Sequence, residues 1–264
     1  IILIMINITW YGTATILMKI DGTKLLFDPF FRMNKKLEHP KLEEFTRVDY
    51  IFNTHPHFDH LCDLPLILKN TDAQLYGTPT AYLRLETQGV DVEKQVVIIH
   101  NKEILEMENF SIKTHQSKHI DNNLGIVLLT ALKVLFTFQI HKAYKLLKLH
   151  NKYRMGGDIV AFEINAQNKT ILIFGSAGIS NKAKLPKNVD VLIWPFQGRT
   201  NMTKYSLPII EKIEPKTVIL DHFDNAFPPI TGHINTDKFV KTMAKKFPDM
   251  KVIVPKYHEK IEII

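Results

Sequence analysis

The sequence predicts an α/β fold in which two β-sheets pack together and are covered by helices. Two observations predict it: short apolar strands cluster in each half of the chain, and helical patterns fall between and after them. A third is the composition, 45% hydrophobic and 23% charged, which suits a soluble chain able to bury a sizeable core. With 264 residues, we read residues 1–264 as one domain that carries an insertion.

The first half opens on three short strands, at 6–10, 16–20 and 24–27, separated by Gly12 and the turn pair Asp21-Gly22. That spacing is a β-meander. Residues 1–6 read as an edge strand, or as extra residues before a natural start at Met5; they lack the length and basic flank of a signal peptide. A strand at 48–52 runs directly into Thr54-His55-Pro56-His57-Phe58-Asp59-His60, so these histidines sit in a loop at a strand's carboxyl end, where chemistry is usually placed. Strands at 74–76, 96–99 and 110–113 follow, with a helix at 80–87. The second half repeats this style, with strands at 159–164, 170–174, 189–194, 217–220 and 251–254 and helices at 205–213 and 236–247.

Residues 122–157 stand apart. They contain no Asp or Glu but carry Lys133, Lys142, Lys145, Lys148, Lys152 and Arg154, so much of the net charge of +7 is concentrated there. At about 100° per residue, His141, Lys145, Lys148 and Lys152 share one side of a helix and Phe136, Ile140, Ala143 and Leu147 the other. We read a basic amphipathic helical insertion with Leu146 and Leu147 turned inward or towards a partner. No apolar run reaches the roughly 18 residues that span a bilayer. The single cysteine, Cys62, forbids an intramolecular disulfide and fits a reducing, cytoplasmic setting. Its expected role is a small apolar residue at the start of the following helix.

The densest chemical signal is His55, His57, Asp59 and His60. Imidazoles and carboxylates are ligands that zinc accepts without any thiolate. His55 and His57, two apart in extended backbone, point the same way and can hold one ion. Beyond the kink, Asp59 and His60 can face a second one nearby.

This run resembles the His-x-His-x-Asp-His signature of the metallo-β-lactamase superfamily. The likeness extends to Ile6-Asn7-Ile8-Thr9-Trp10-Tyr11-Gly12 and Leu25-Leu26-Phe27-Asp28-Pro29-Phe30, which are most similar to the branch of ascorbate-6-phosphate lactonase-like and N-acyl-phosphatidylethanolamine phospholipase D-like proteins. The resemblance implies a four-layered αββα sandwich with a helical insertion, and a role for Asp28 in orienting a metal ligand. It also implies a further ligand histidine after the strand at 110–113, with His119 preferred over His115, which would then be an exposed polar residue. A last ligand is expected at the end of the strand at 217–220, where His222 fits better than His233. In family members with a full dinuclear site an aspartate follows the glycine of the motif matching Ile173-Phe174-Gly175-Ser176-Ala177-Gly178. Here Ser176 stands in its place, so one zinc is expected to be firm and a second weak or absent, with Asp224 a weaker substitute ligand.

The chemistry implied is hydrolysis of an ester, lactone or phosphodiester by a zinc-bound hydroxide, with Asp59 orienting or deprotonating the water. A small-molecule or lipid-like substrate, with a phosphorylated one among the candidates, and peripheral membrane contact are the partners favoured by the basic insertion; Arg199 is a candidate for an anionic group. The rival readings are a metal-binding protein without turnover, suggested by Ser176, and a nucleic-acid phosphodiesterase, suggested by the charge. A basic groove interleaved with aromatic residues, expected for single-strand binding, is not visible. A di-iron redox role lacks both the carboxylate bridge and an attached flavin domain.

Overall fold

The computed structural model describes residues 5–153, 157–180 and 183–263. Ile1–Ile4, the bulk of the expected N-terminal edge strand, and Arg154 of the insertion lie outside them.

The first sheet starts as the expected meander, β1 (Ile6–Trp10), β2 (Ile16–Ile20) and β3 (Thr23–Phe27). After the short helix α1 (Leu42–Thr46) come β4 (Tyr50–Phe52), α2 (Phe58–Leu61) and α3 (Leu64–Leu68). The sheet is extended by β5 (Gln74–Gly77) and β6 (Val96–Ile98), separated by α4 (Pro79–Glu86) and α5 (Val92–Gln95). Next are β7 (Ile104–Glu106) and β8 (Ser111–Lys118), which begin the second sheet, and the helices of the insertion, α6 (Leu124–Phe136) and α7 (Ile140–Tyr153). The second sheet continues with β9 (Val160–Ala166), β10 (Lys169–Phe174), β11 (Gly178–Ile179) and β12 (Val191–Pro195). Then α8 (Met202–Ile213), β13 (Thr217–Asp221), α9 (Asp237–Lys246) and β14 (Lys251–Ile253) complete it, and β15 (Lys260–Ile263) returns to the first sheet.

Among the described residues the first sheet has the order β15-β1-β2-β3-β4-β5-β6, and the second β11-β8-β9-β10-β12-β13-β14 with β7 also on β8. Each has an antiparallel part and a parallel part: β3 to β6 run parallel, as do β10, β12, β13 and β14. Because β15 pairs with β1 on the side away from β2, β1 is not an edge. The sequence reading missed β15 because its alternating Lys-Ile-Glu-Ile is short and half charged.

The period-2 alternation of strand side chains sorts the two faces. In β4, Phe52 enters the core between the sheets while Ile51 joins the cluster beneath the helices with Leu61, Leu64 and Leu85. On the second sheet, Ile210 and Ile213 of α8 and Phe239 and Met243 of α9 cover the outer side. The layers therefore run helix, sheet, sheet, helix. Phe162 is a central member of the inner core, its ring centroid 5.7 Å from that of Phe27 and 5.4 Å from that of Phe52.

The insertion is two helices and not one. Thr137 closes α6 by donating its hydroxyl to the Lys133 carbonyl at 2.6 Å, and Phe138 adopts φ +52° before α7 begins. Phe136 therefore lies on a different helix from Ile140, Ala143 and Leu147. Strand β8 also runs four residues past Thr114 to Lys118, which carries His115 into the sheet.

Replacing Phe162 with Ala should remove the ring that joins the two sheets and lower unfolding free energy by about 3–5 kcal/mol. A shift in the urea midpoint with unchanged slope is the measurement.

Candidate metal centre

The loops that follow β3, β4, β10, β12 and β13 all leave the parallel parts of the two sheets at their carboxyl ends, the rim where α/β sheets gather functional groups. Asp28 follows β3, His55–His60 follow β4, Gly175-Ser176 follow β10, Gln197 follows β12 and His222 follows β13. His119 comes from β8, directly after its last residue.

Asp28 is buried, with φ +43°. Its Oδ1 accepts from the Thr54 backbone N–H at 2.8 Å and from Asn53 Nδ2 at 3.1 Å. Its Oδ2 accepts from Thr54 Oγ1 at 2.5 Å and lies 2.9 Å from His60 Nδ1. Since the one hydroxyl proton of Thr54 goes to a carboxylate, Thr54 Oγ1 can only accept from His55 Nδ1, 2.9 Å away. That fixes the His55 tautomer and leaves Nε2 without a proton. Gly175 is required beside it: a Cβ there would collide with Thr54 Oγ1 and press on Asp28 Oδ2.

The backbone is extended through His57 and turns helical at Phe58, so His55 and His57 face one way and Asp59 and His60 another. One ligand atom each from His55, His57 and His119 lie within 4.8 Å of one another, and so do one each from Asp59, His60 and His222. The His55 and His60 rings, with centroids 4.0 Å apart, join the groups. His119 Nδ1 donates to the Ile120 carbonyl at 2.9 Å, which turns its other nitrogen free.

These residues fit a divalent metal ion. His55 Nε2 is buried without a hydrogen-bond partner, a costly state for a polar atom unless an electrophile completes it. Burial, with the neighbouring histidines, holds the His55 imidazole well below its ordinary pKa and pushes that of His57 down to about 3; burial also lowers that of His119. All three are therefore neutral near pH 7, the form that ligates. In the second group, burial opposes the charge of Asp59, yet His60 and His222 hold its carboxyl below the usual range. Burial likewise opposes protonation of His222, but the hydrogen bond to Asp59 and the charges of Asp59, Asp221 and Asp224 push it up to about 9. His222 Nε2 stands 3.2 Å from Asp59 Oδ2, and Nδ1 3.1 Å from Gln197 Oε1.

A family model described as "Beta-lactamase superfamily domain" matches residues 7–222, from β1 to His222. The chain belongs to the metallo-β-lactamase superfamily. It is 26% identical over 252 residues to a UPF0173 metal-dependent hydrolase of Methanopyrus kandleri, covering 94% of this chain and 96% of that one. Among solved structures it is similar to a metallo hydrolase from the archaeon Ignicoccus hospitalis, with TM-score 0.69, 18% identity and 98% and 99% coverage. It also resembles an isothiocyanate hydrolase from Delia radicum gut bacteria, with TM-score 0.62, 13% identity and 97% and 98% coverage. These two likenesses show the shared fold.

Within this metallo-β-lactamase fold, Ser176 has a defined place. Its Oγ accepts from the Ile120 backbone N–H at 3.0 Å, so it steadies the loop that carries His119. Gly178 lets the same loop close in, since a Cβ there would strike the Lys118 and His119 carbonyls. Above the two groups opens a cavity of about 660 Å³, whose floor includes His57, Asp59, His119 and His222 and whose upper wall is α6 and α7.

The other residues singled out in the sequence fall elsewhere. His115 is not exposed but buried in β8 and paired with Glu163, away from the cluster. Asp224 accepts from the Thr13 N–H at 3.1 Å and faces Arg32 at 3.4 Å, so it is committed to a clasp and does not join the ligand groups. Cys62 ends α2 instead of starting a helix, and burial, reinforced by Asp63, raises its thiol far from the reactive thiolate form. Arg199 stacks over the Tyr205 ring at 4.7 Å, and His233 lines the cavity mouth. Sequence reasoning missed His150, which descends from α7 to within 5.5 Å of the His57 ring centroid, and the Thr54–Asp28 link. His150 was detectable as the residue three to four positions after Leu146 and Leu147, on the stripe that faces the cavity.

Asp28→Asn should weaken metal binding by about 10- to 100-fold, the usual effect of losing a hydrogen bond that orients a ligand, measured by competition with a chelating dye. The proton balance gives a second expectation. An ion held by His55, His57 and His119 displaces no imidazole proton near pH 7, whereas one recruiting His222 must displace the proton held there. Affinity for that second ion should rise with pH up to about 9, and calorimetry in buffers of different ionisation enthalpy should register one proton released with it and none with the first.

Proposed function

We propose that this chain, a metal-dependent hydrolase of the metallo-β-lactamase superfamily, uses zinc to hydrolyse an ester, lactone or phosphodiester of a small-molecule or lipid-like substrate. The observation that carries this reading is the buried, unpartnered Nε2 of His55, set where the neutral imidazoles of His57 and His119 converge on the cavity floor. The Methanopyrus kandleri relative, a metal-dependent hydrolase, and the Ignicoccus hospitalis metallo hydrolase support the metal-dependent hydrolysis in this reading.

His55, His57 and His119 would hold the firm ion, and Asp59, His60 and His222 a weaker second. Zinc supplies, when bound, a Lewis acid and a water whose pKa falls to about 7. Asp59, kept ionised by His60 and His222, is an acceptor that orients the attacking water. Where no second ion has displaced it, His222, steadied by Gln197 at Nδ1, holds a proton towards Asp59 at Nε2. Ile126, Val127, Leu129, Leu146, Leu147 and Phe227 give the cavity an apolar wall, which suits an acyl or other hydrocarbon portion. The asymmetry between ions follows from Ser176: a carboxylate between two dications offsets their repulsion, and a hydroxyl does so only by losing its proton. A cytoplasmic setting accords with the single cysteine.

Metal analysis of the purified chain, with turnover of generic phosphodiester, lactone and thioester substrates, tests the proposal. His57→Ala should remove bound zinc and lower turnover by more than about 100-fold, beyond the loss from an outer hydrogen bond. Ser176→Asp should raise zinc per chain towards two. Two equally tight ions in the unmodified chain would refute the asymmetry, and full zinc occupancy without turnover on any class would favour a metal-binding protein.

A further inference from the structure

The helices α6 and α7 close the cavity with one side and leave the other uncovered. None of the 13 residues of α6 is buried. Leu124, Leu128 and Leu135 form an outward ladder at i, i+4 and i+11, and Leu124 is 88% exposed. At the turn between the helices Phe136 and Phe138 are 75% and 90% exposed, with Ile140 beside them. A soluble surface does not normally carry so continuous an apolar strip.

The polar part of the hairpin is entirely of one sign. On α7, Leu146, Leu149, His150 and Tyr153 point inward, while Ile140 and Tyr144 make an outward stripe at i and i+4. Lys145, Lys148 and Lys152 run along its flank, and residues 122–157 have no acid to pair with them. The hairpin is nevertheless anchored to the body. Asn123 Nδ2 donates to Thr200 Oγ1 at 2.9 Å, Lys133 Nζ donates to the Thr231 carbonyl, and Tyr153 Oη donates to Gln88 Oε1 at 2.8 Å.

We propose that the α6–α7 hairpin docks on the surface of an anionic lipid bilayer, with Phe136, Phe138 and the leucine ladder in the interfacial region and the α7 lysines against the headgroups. Charge complementarity selects this occupant. Lysines that flank an apolar stripe bury their stems and place their ammonium groups among anionic headgroups, whereas the same hairpin on a second copy would bring only further lysines. At about 1.5 Å per residue α6 spans roughly 20 Å, short of the roughly 30 Å of a hydrocarbon core, and no helix among the described residues is long and apolar enough to cross a membrane. The hairpin therefore lies on the bilayer, and the cavity beneath it opens at the lipid–water boundary.

The docking is independent of metal and of turnover, so the test uses the metal-free full chain. Co-sedimentation with phosphatidylcholine vesicles, with and without phosphatidylglycerol, should show binding that needs the anionic lipid and weakens with salt. The exposed pair Phe136→Ser/Phe138→Ser should fold normally by circular dichroism and lose at least about tenfold in vesicle affinity. The triple Lys142→Glu/Lys145→Glu/Lys148→Glu should abolish the preference for anionic vesicles. Phe138→Trp should show blue-shifted emission on anionic vesicles alone. Negligible binding of the folded chain to both vesicle types would overturn the proposal. So would a dimer in solution that Phe136→Ser/Phe138→Ser converts to monomer without any vesicle binding by either form.

Discussion

A carboxylate buried at the end of β3 with a left-handed backbone is an expensive element, and the centre is arranged around satisfying it. Asp28 accepts from the Thr54 and Asn53 donors and lies against His60. Its hold on the Thr54 hydroxyl decides which nitrogen of His55 keeps a proton. One buried charge thus orients a residue in each of the two ligand groups. The cradle tolerates no side chain at Gly175, so β10 contributes to the site by bringing bare backbone close, from the opposite sheet.

That closeness depends on how the sheets are locked at the rim. The turn after β1 supplies the Thr13 carbonyl to the His222 N–H at 2.8 Å, and the Thr13 N–H binds Asp224. Trp10 stacks on Phe223, ring centroids 4.7 Å apart. His222 itself has φ +56°, an uncommon conformation for a residue with a side chain, and these contacts hold it there. Asp224, with Arg32, belongs to this clasp and stands apart from both candidate ligand groups. The Ser176 hydroxyl fixes the backbone of Ile120 and so the loop of His119.

Electrostatically the centre is divided. Around His55, His57 and His119, burial and mutual proximity favour neutral rings, poised for a cation. Around Asp59 and His222 a carboxylate and an imidazolium satisfy each other. The hairpin of α6 and α7 completes the cavity and supplies His150 to its wall, so a segment whose outer side faces solvent also shapes the interior.

Much of this was legible in the chain itself. Period-2 apolar runs and turn residues determined most strands to within a few positions, because alternation and turn chemistry are local. The dense run from His55 to His60 pointed to a candidate metal-ligand set on the same grounds. Other features were decided by tertiary structure. Pairing with β9 carries β8 on to Lys118, which buries His115 against Glu163 and leaves His119 at the strand's end. The pairing of β15 with β1 adds a strand beside the meander, and the turn at Thr137–Phe138 breaks a single predicted helix into two. The roles of Asp28, Thr54 and His150 likewise depend on contacts between segments distant in sequence. A residue's neighbours along the chain set its backbone habits; the partners of a buried carboxylate, and the proton on an imidazole, are set by whatever the fold brings within about 3 Å.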